Sequence, residues 1–149
     1  MAAAPFAAWR RDGFAYGAPK GAFMSAAFVL GLIIAVALVL IGLYSLVAPA
    51  AVSRGYGVRA DTHDAHGYVR ATGIRDIALG VLLGAVAYFH SLTLLIVFAA
   101  VGIVVSIADL AIVWHHSHER RVHVSHGIHA SGIVAFVLII AMAMFAIGR

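Results

Sequence analysis

The sequence predicts an all-α fold: a polytopic bundle of four transmembrane helices with both termini on the same side of the membrane. Three observations carry this. Of the 149 residues, 64% are apolar and only 11% are charged, whereas soluble domains carry about 25% charged residues. Crossing hydrocarbon takes about 20 apolar residues per helix, and four stretches reach that length, at residues 22–47, 68–89, 91–114 and 127–147. These spans use up most of the chain, so residues 1–21 read as an N-terminal interfacial tail and residues 22–149 as one transmembrane domain. The sequence has no cysteine, which excludes disulfides, thiolate metal sites and cysteine catalysis. A formal charge of +4 invites a nucleic-acid reading, but the basic residues are dispersed among loops and tail rather than clustered on one face. No nucleic-acid partner is expected.

The tail sets Phe6, Trp9, Arg10, Arg11, Phe14 and Tyr16 among prolines and glycines. Aromatic rings settle at headgroup level and arginines meet anionic lipid, so this segment is expected to lie on the membrane. The first span, 22–47, precedes Ala48-Pro49-Ala50, which mimics a signal cleavage site. Its apolar run is too long for a signal core of about 7–15 residues, so it reads as an uncleaved helix that stops near Pro49. Tyr44 and Ser45 lie at its far end. Residues 48–67 then read as the longest loop, carrying Arg54, Arg59, Asp61, His63, Asp64 and His66 beside Gly55 and Gly57. Its length and polarity suit a cap over the bundle, or an ordinary solvated loop.

The second span, 68–89, is the one around which the rest is organised, because it contains Gly73-Ile74-Arg75-Asp76-Ile77-Ala78-Leu79-Gly80. A charge well inside hydrocarbon costs roughly 2.5–3.5 kcal/mol on insertion scales, which makes it a candidate functional residue by default. On a period of 3.6 residues Gly73, Asp76, Gly80 and Gly84 fall on one stripe, so Asp76 shares its face with small residues that admit a neighbouring helix. Arg75 lies about 100° further round, free to flank Asp76 or to snorkel outward. The turn at His90-Ser91 is very short, which makes the second and third spans antiparallel neighbours. The third span, 91–114, has a single acid, Asp109. The connection that follows, with His129 just beyond it, carries most of the histidines: His115, His116, His118, His123, His126 and His129 are candidate ligands or proton carriers. Beyond Ser131 the fourth span has no charged residue until its end.

Asp76, Asp109 and His129 all fall toward the end of the bundle that bears the two loops, with Arg70, Tyr44 and Ser45 at similar or shallower depth. Polar residues converging on one end from separate helices are what a water-accessible pocket near one leaflet requires; a structural ion-pair network joining Arg75 to Asp76 or Asp109 would give the same pattern. Four functions compete. In the first, the pocket binds a small amphiphile with an anionic or polar head, using Tyr44, Arg70, Arg75, Asp76, Asp109, His126 and His129; the guanidinium is a planar fork of donors suited to such a head. In the second, Asp76 and Asp109 are catalytic and do acid–base chemistry, such as isomerisation, cyclisation or epoxide opening, on a lipid-soluble substrate. In the third, His116, His118, His123, His126 and His129 bind or transport a divalent metal, although regular zinc sites have better-defined spacing; no other cofactor is evident. In the fourth, the chain is an accessory subunit that associates with a second copy or a membrane complex through Gly80-x-x-x-Gly84. Membrane lipids are expected partners in every case.

The run Gly73-Ile74-Arg75-Asp76-Ile77-Ala78-Leu79-Gly80, preceded by Tyr56-Gly57-Val58 and followed by the lone Asp109, resembles the small four-helix membrane proteins grouped as domain of unknown function 4267, over roughly residues 22–147. The resemblance implies a four-helix membrane fold and no particular activity. The histidine-rich connection is not implied by it. Helices rather than strands do the spanning, which favours a cytoplasmic (inner) membrane. Orientation is left open, since Arg10, Arg11, Lys20 and Arg149 on the terminal side balance Arg54, Arg59, Arg120 and Arg121, with Arg70, on the loop side.

Overall fold

The computed structural model describes residues 20–56, 62–116 and 122–148, and the side chains of all of these except 116 and 122–125. The expected interfacial tail lies almost wholly outside the described residues, as do Arg59, Asp61, Arg120 and Arg121. The described chain is helical throughout: α1 (Lys20–Val47), α2 (Pro49–Gly55), α3 (His63–Tyr88), α4 (Leu92–His116) and α5 (Val122–Ile147). All but α2 are long and apolar enough to cross a membrane, as the four predicted spans require.

Two boundaries differ from expectation, for local reasons. The predicted loop 48–67 is largely helix. Ala48 leaves helical geometry (φ −133°, ψ 53°) and α2 begins at once with Pro49 in its first turn, where a proline's missing N–H costs nothing. α3 starts at His63 rather than at 68 because Thr62 caps it: its hydroxyl accepts a hydrogen bond from the Ala65 amide at 3.2 Å, and Asp64 in the first turn complements the helix dipole. α5 likewise begins at Val122, not 127, so His123, His126 and His129 all belong to one helix.

The helices pack in the order α3, α1, α5, α4. α1 and α3 share the largest interface, α4 and α5 the next, and α1 joins the pairs through α5. α3 and α4 were expected to be packed neighbours; instead they share few contacts despite their short connection. A short turn ties two helix ends and leaves the rest of each helix to follow its better-fitting partner. For α3 that partner is α1, because small residues let the two backbones approach. A β-carbon added at Gly73 would lie 2.7 Å from the Gly42 carbonyl oxygen, and one at Gly80 would lie 2.7 Å from that of Ala35. The small-residue stripe of α3 is thus occupied by packing within the chain. α4 meets α5 at Gly102, where a β-carbon would lie 2.5 Å from the Phe136 ring.

The α3–α4 turn is a Schellman closure, with the Ser91 amide bonded to the Val86 carbonyl at 3.4 Å and the His90 amide to that of Ala87 at 3.1 Å. His90 takes the left-handed position at φ 53°, where glycine is usual, and its ring meets Phe28 edge-on at 4.8 Å. Around this turn lies the apolar core: Ala27 and Phe28 of α1, Leu83 and Ala87 of α3, Leu95 and Ala99 of α4, and Phe136 and Ile139 of α5. Val36, Leu40, Val81, Val97, Val104 and Val137 face outward, giving the apolar exterior that a bilayer demands.

Candidate functional site

α3 and α4 are held together at their turn and contact each other little elsewhere, so the four-helix bundle is loosely closed on that side. Between the helices lies a half-open cavity of about 670 Å³, inside the range of about 300–1,000 Å³ usual for ligand pockets. The aliphatic lining comes from Ile34 and Leu38 of α1, Leu79 of α3, and Val105 of α4, with the rings of Phe98 and Phe136 beside them. The loop end is covered by α2, whose Val52 and Ser53, with Tyr56 just after, line the same space. Of the 48–67 segment, it is the part around α2 that lies against the cavity.

The polar residues gather at one end of this cavity. Arg75 Nη2 lies 3.4 Å from Asp76 Oδ1 and 3.9 Å from Asp109 Oδ2. The second contact joins α3 to α4, the two helices that otherwise hardly touch. Asp76 is nearly enclosed, with a side chain 12% exposed, whereas the Asp109 side chain is 31% and the Arg75 side chain 50% exposed. His129 of α5 is within electrostatic reach of both carboxylates, and its ring lies 5.8 Å from that of Tyr56. Burial pushes the Tyr56 phenol above its ordinary value; the Asp76 and Asp109 carboxylates add to the rise and Arg75 opposes it. Ser106 and Ser131 add hydroxyls to the wall.

The cluster sits deeper than expected. Asp76 is midway along α3, roughly 20 Å from its first residue at 1.5 Å per residue. Asp109 and His129 are each about two turns inside α4 and α5, where one turn had been expected for His129.

Of the residues singled out from sequence, Arg75, Asp76, Asp109, His129 and Ser45 line the cavity. Others lie elsewhere. Tyr44 is half exposed on the outer side of α1, and Arg70, also exposed, donates from Nε to the Leu46 carbonyl at 3.3 Å, fastening α3 to the end of α1. His126 does not line the cavity; its ring stands edge-on to Trp114 at 5.3 Å. His118 and the side chains of His116 and His123 lie outside the described residues, and among the described residues no three His, Asp or Glu side chains come together as a metal site. Tyr56, Ser53 and Ser106 were missed. A signal for the first two existed: Pro49, Val52, Ser53 and Tyr56 recur at helical spacing after a helix-starting proline.

An all-helical chain with four membrane-length helices around a polar-ended cavity is a polytopic membrane protein. The family model described as domain of unknown function (DUF4267) matches residues 35–143, and the chain belongs to that family. The match spans the cavity-lining parts of α3, α4 and α5 and part of α1. No curated protein and no solved structure matches the chain.

Proposed function

We propose that the protein binds a small amphiphilic molecule in this cavity, its apolar body among the aliphatic and aromatic walls and its polar head against Arg75, Asp109, His129 and Tyr56. The observation that carries the reading is the coincidence of a ligand-sized cavity with the chain's intramembrane charges. A purely structural ion pair has no need of a neighbouring void, and voids in a packed interior forfeit contacts. Arg75 supports it further, since both of its carboxylate contacts fall on Nη2 and the remaining N–H groups of its fork point to spare donor capacity.

The test is native mass spectrometry of the gently purified protein, wild type beside Arg75→Ala and Ser106→Phe. A small molecule is expected to accompany the wild type and to be lost from both variants. Ser106→Phe puts a ring at the cavity wall and changes no residue of the ion cluster, so, once it is shown to elute as folded protein, it remains informative if Arg75→Ala fails to fold. A wild type that carries nothing, or a bound molecule that persists in folded Ser106→Phe, would overturn the reading.

A second reading is favoured by one arrangement, the meeting of Asp76, Asp109, His129 and Tyr56 from four different segments of the chain. Carboxyl, imidazole and phenol groups gathered in one place could protonate one atom of a bound molecule and take a proton from another. Recovery of an altered isomer from wild type, and of the unaltered molecule from Asp109→Asn, would favour that acid–base role over simple binding.

A further inference from the structure

Resting on the binding reading above, we infer that the cavity selects an uncharged, lipid-dissolved molecule whose head is a neutral oxygen, a hydroxyl or a carbonyl, and rejects both anionic and cationic heads. The inference follows from how the charges at its polar end are disposed. Arg75 is within contact distance of both Asp76 and Asp109, so the cluster already holds both signs.

An anionic head reaching the guanidinium would meet two carboxylates there. On the spare Nε or Nη1 side it would bring a third negative charge to a guanidinium already shared by two, and to draw the full positive charge it would have to displace one of them. Asp76, the nearly enclosed one, would be left without its partner midway along a membrane helix, and an unpaired charge at that depth is strongly disfavoured. A cationic head approaching the carboxylates would meet Arg75, which spans the space between them. A neutral oxygen displaces neither. It accepts a hydrogen bond from the Nε or Nη1 side of the guanidinium, or exchanges one with the Tyr56 hydroxyl, while the ion pairs stay in place.

The rest of the site agrees. The walls beyond the cluster are almost wholly aliphatic and aromatic, so the body of the molecule is apolar. At about 670 Å³ the cavity is of the size usual for a single small molecule. Few contacts close the space between α3 and α4, and α2 covers the loop end, with Val52, Ser53 and Tyr56 against the cavity. A molecule already dissolved in the bilayer therefore has the more open path, between α3 and α4.

The experiment compares three probes with one tail: 1-dodecanol, 1-dodecanesulfonate and dodecyltrimethylammonium. The two ions keep their charge across the working pH range. Each is titrated onto the full chain in phosphatidylcholine nanodiscs, and specific binding is taken as the difference between wild type and Ser106→Phe. The alcohol is expected to bind at least tenfold more tightly than either ion. In Asp109→Asn, which leaves Arg75 one carboxylate, the sulfonate is expected to gain at least tenfold over its affinity for wild type. Either ion coming within tenfold of the alcohol on wild type overturns the inference and leaves the binding reading standing. So does a sulfonate affinity unmoved in Asp109→Asn. If no probe shows specific binding, the binding reading fails and the inference with it.

Discussion

The two halves of the molecule are built on opposite terms. Near the α3–α4 turn, Ala27, Leu83, Ala87, Leu95 and Ile139 are all at most 1% exposed, and residues from all four long helices interlock. Toward the loops the same helices separate around a cavity and are joined by the loosely spaced Arg75 contacts. Lipid tails are as apolar as leucine, so helix association in a membrane rests on close packing and interhelical polar contacts rather than on expulsion of water. The turn half uses the first. The loop half uses the second and keeps an open space, which the fold tolerates because the α1–α3 small-residue contact runs through both halves, from Gly73 against Gly42 to Gly84 against Ala35.

The largest effect is expected where both halves depend on one contact. Gly80→Leu would drive a side chain into the Ala35 backbone, and backbone has no rotamer to give. Overpacking costs about 1–3 kcal/mol and sometimes more; here the upper end or beyond is expected, read as loss of folded protein in detergent. Gly84→Ala is the control on the same stripe, since its β-carbon would sit at an ordinary 3.7 Å from that of Ala35. It is expected to be neutral or to stabilise by up to about 1 kcal/mol through helix propensity. Equal damage from both would mean that the stripe is not the contact described.

A second pair sets the halves directly against each other. Leu83→Ala removes a side chain that is 1% exposed in the turn-half core, with an expected cost of about 2 kcal/mol or more from lost packing. Leu79→Ala, one turn away on the same helix, only enlarges the cavity it already lines, at an expected cost of about 1 kcal/mol or less. Thermal melts of both variants in one detergent check this, and a reversed order would contradict the contrast between halves.

The smallest effect is confined to alkaline pH. Because burial raises the Tyr56 phenol above its ordinary value, folding favours the neutral form. Its contribution is complete below about pH 10 and is lost as pH rises through the folded-state value. The melting temperature of wild type is expected to fall more steeply above about pH 10 than that of Tyr56→Phe. Parallel curves would place Tyr56 outside the buried cluster.

Much of the candidate site is legible in the sequence. Arg75 and Asp76 declared themselves as charges inside an apolar run, and the stripe through Gly73, Asp76 and Gly80 named the face that meets another helix. Asp109 and His129 were placed at the correct end by counting residues. Tyr44 and Arg70 were placed at that end equally well and yet do not line the cavity, because depth along a helix says nothing about direction around it. Tyr56 was hidden by the glycines and charges around it, which made residues 48–67 read as one loop; the helical spacing from Pro49 was the better guide.

What the sequence determined by itself was whatever depends on one helix at a time: the four spans, their approximate lengths, the membrane as solvent, the turn at His90-Ser91 and the small face of α3. These follow from hydropathy and period, which are local. The tertiary structure alone decided the order α3, α1, α5, α4, the loosely closed α3–α4 side which that order leaves, and hence the cavity and the reach of Arg75 to a carboxylate on a helix that α3 scarcely touches. The physical reason lies in the solvent. In water a helix advertises its inner face by contrast with a polar outer one, but in lipid both faces are apolar, and which side turns inward is settled by the fit of small residues against a neighbour.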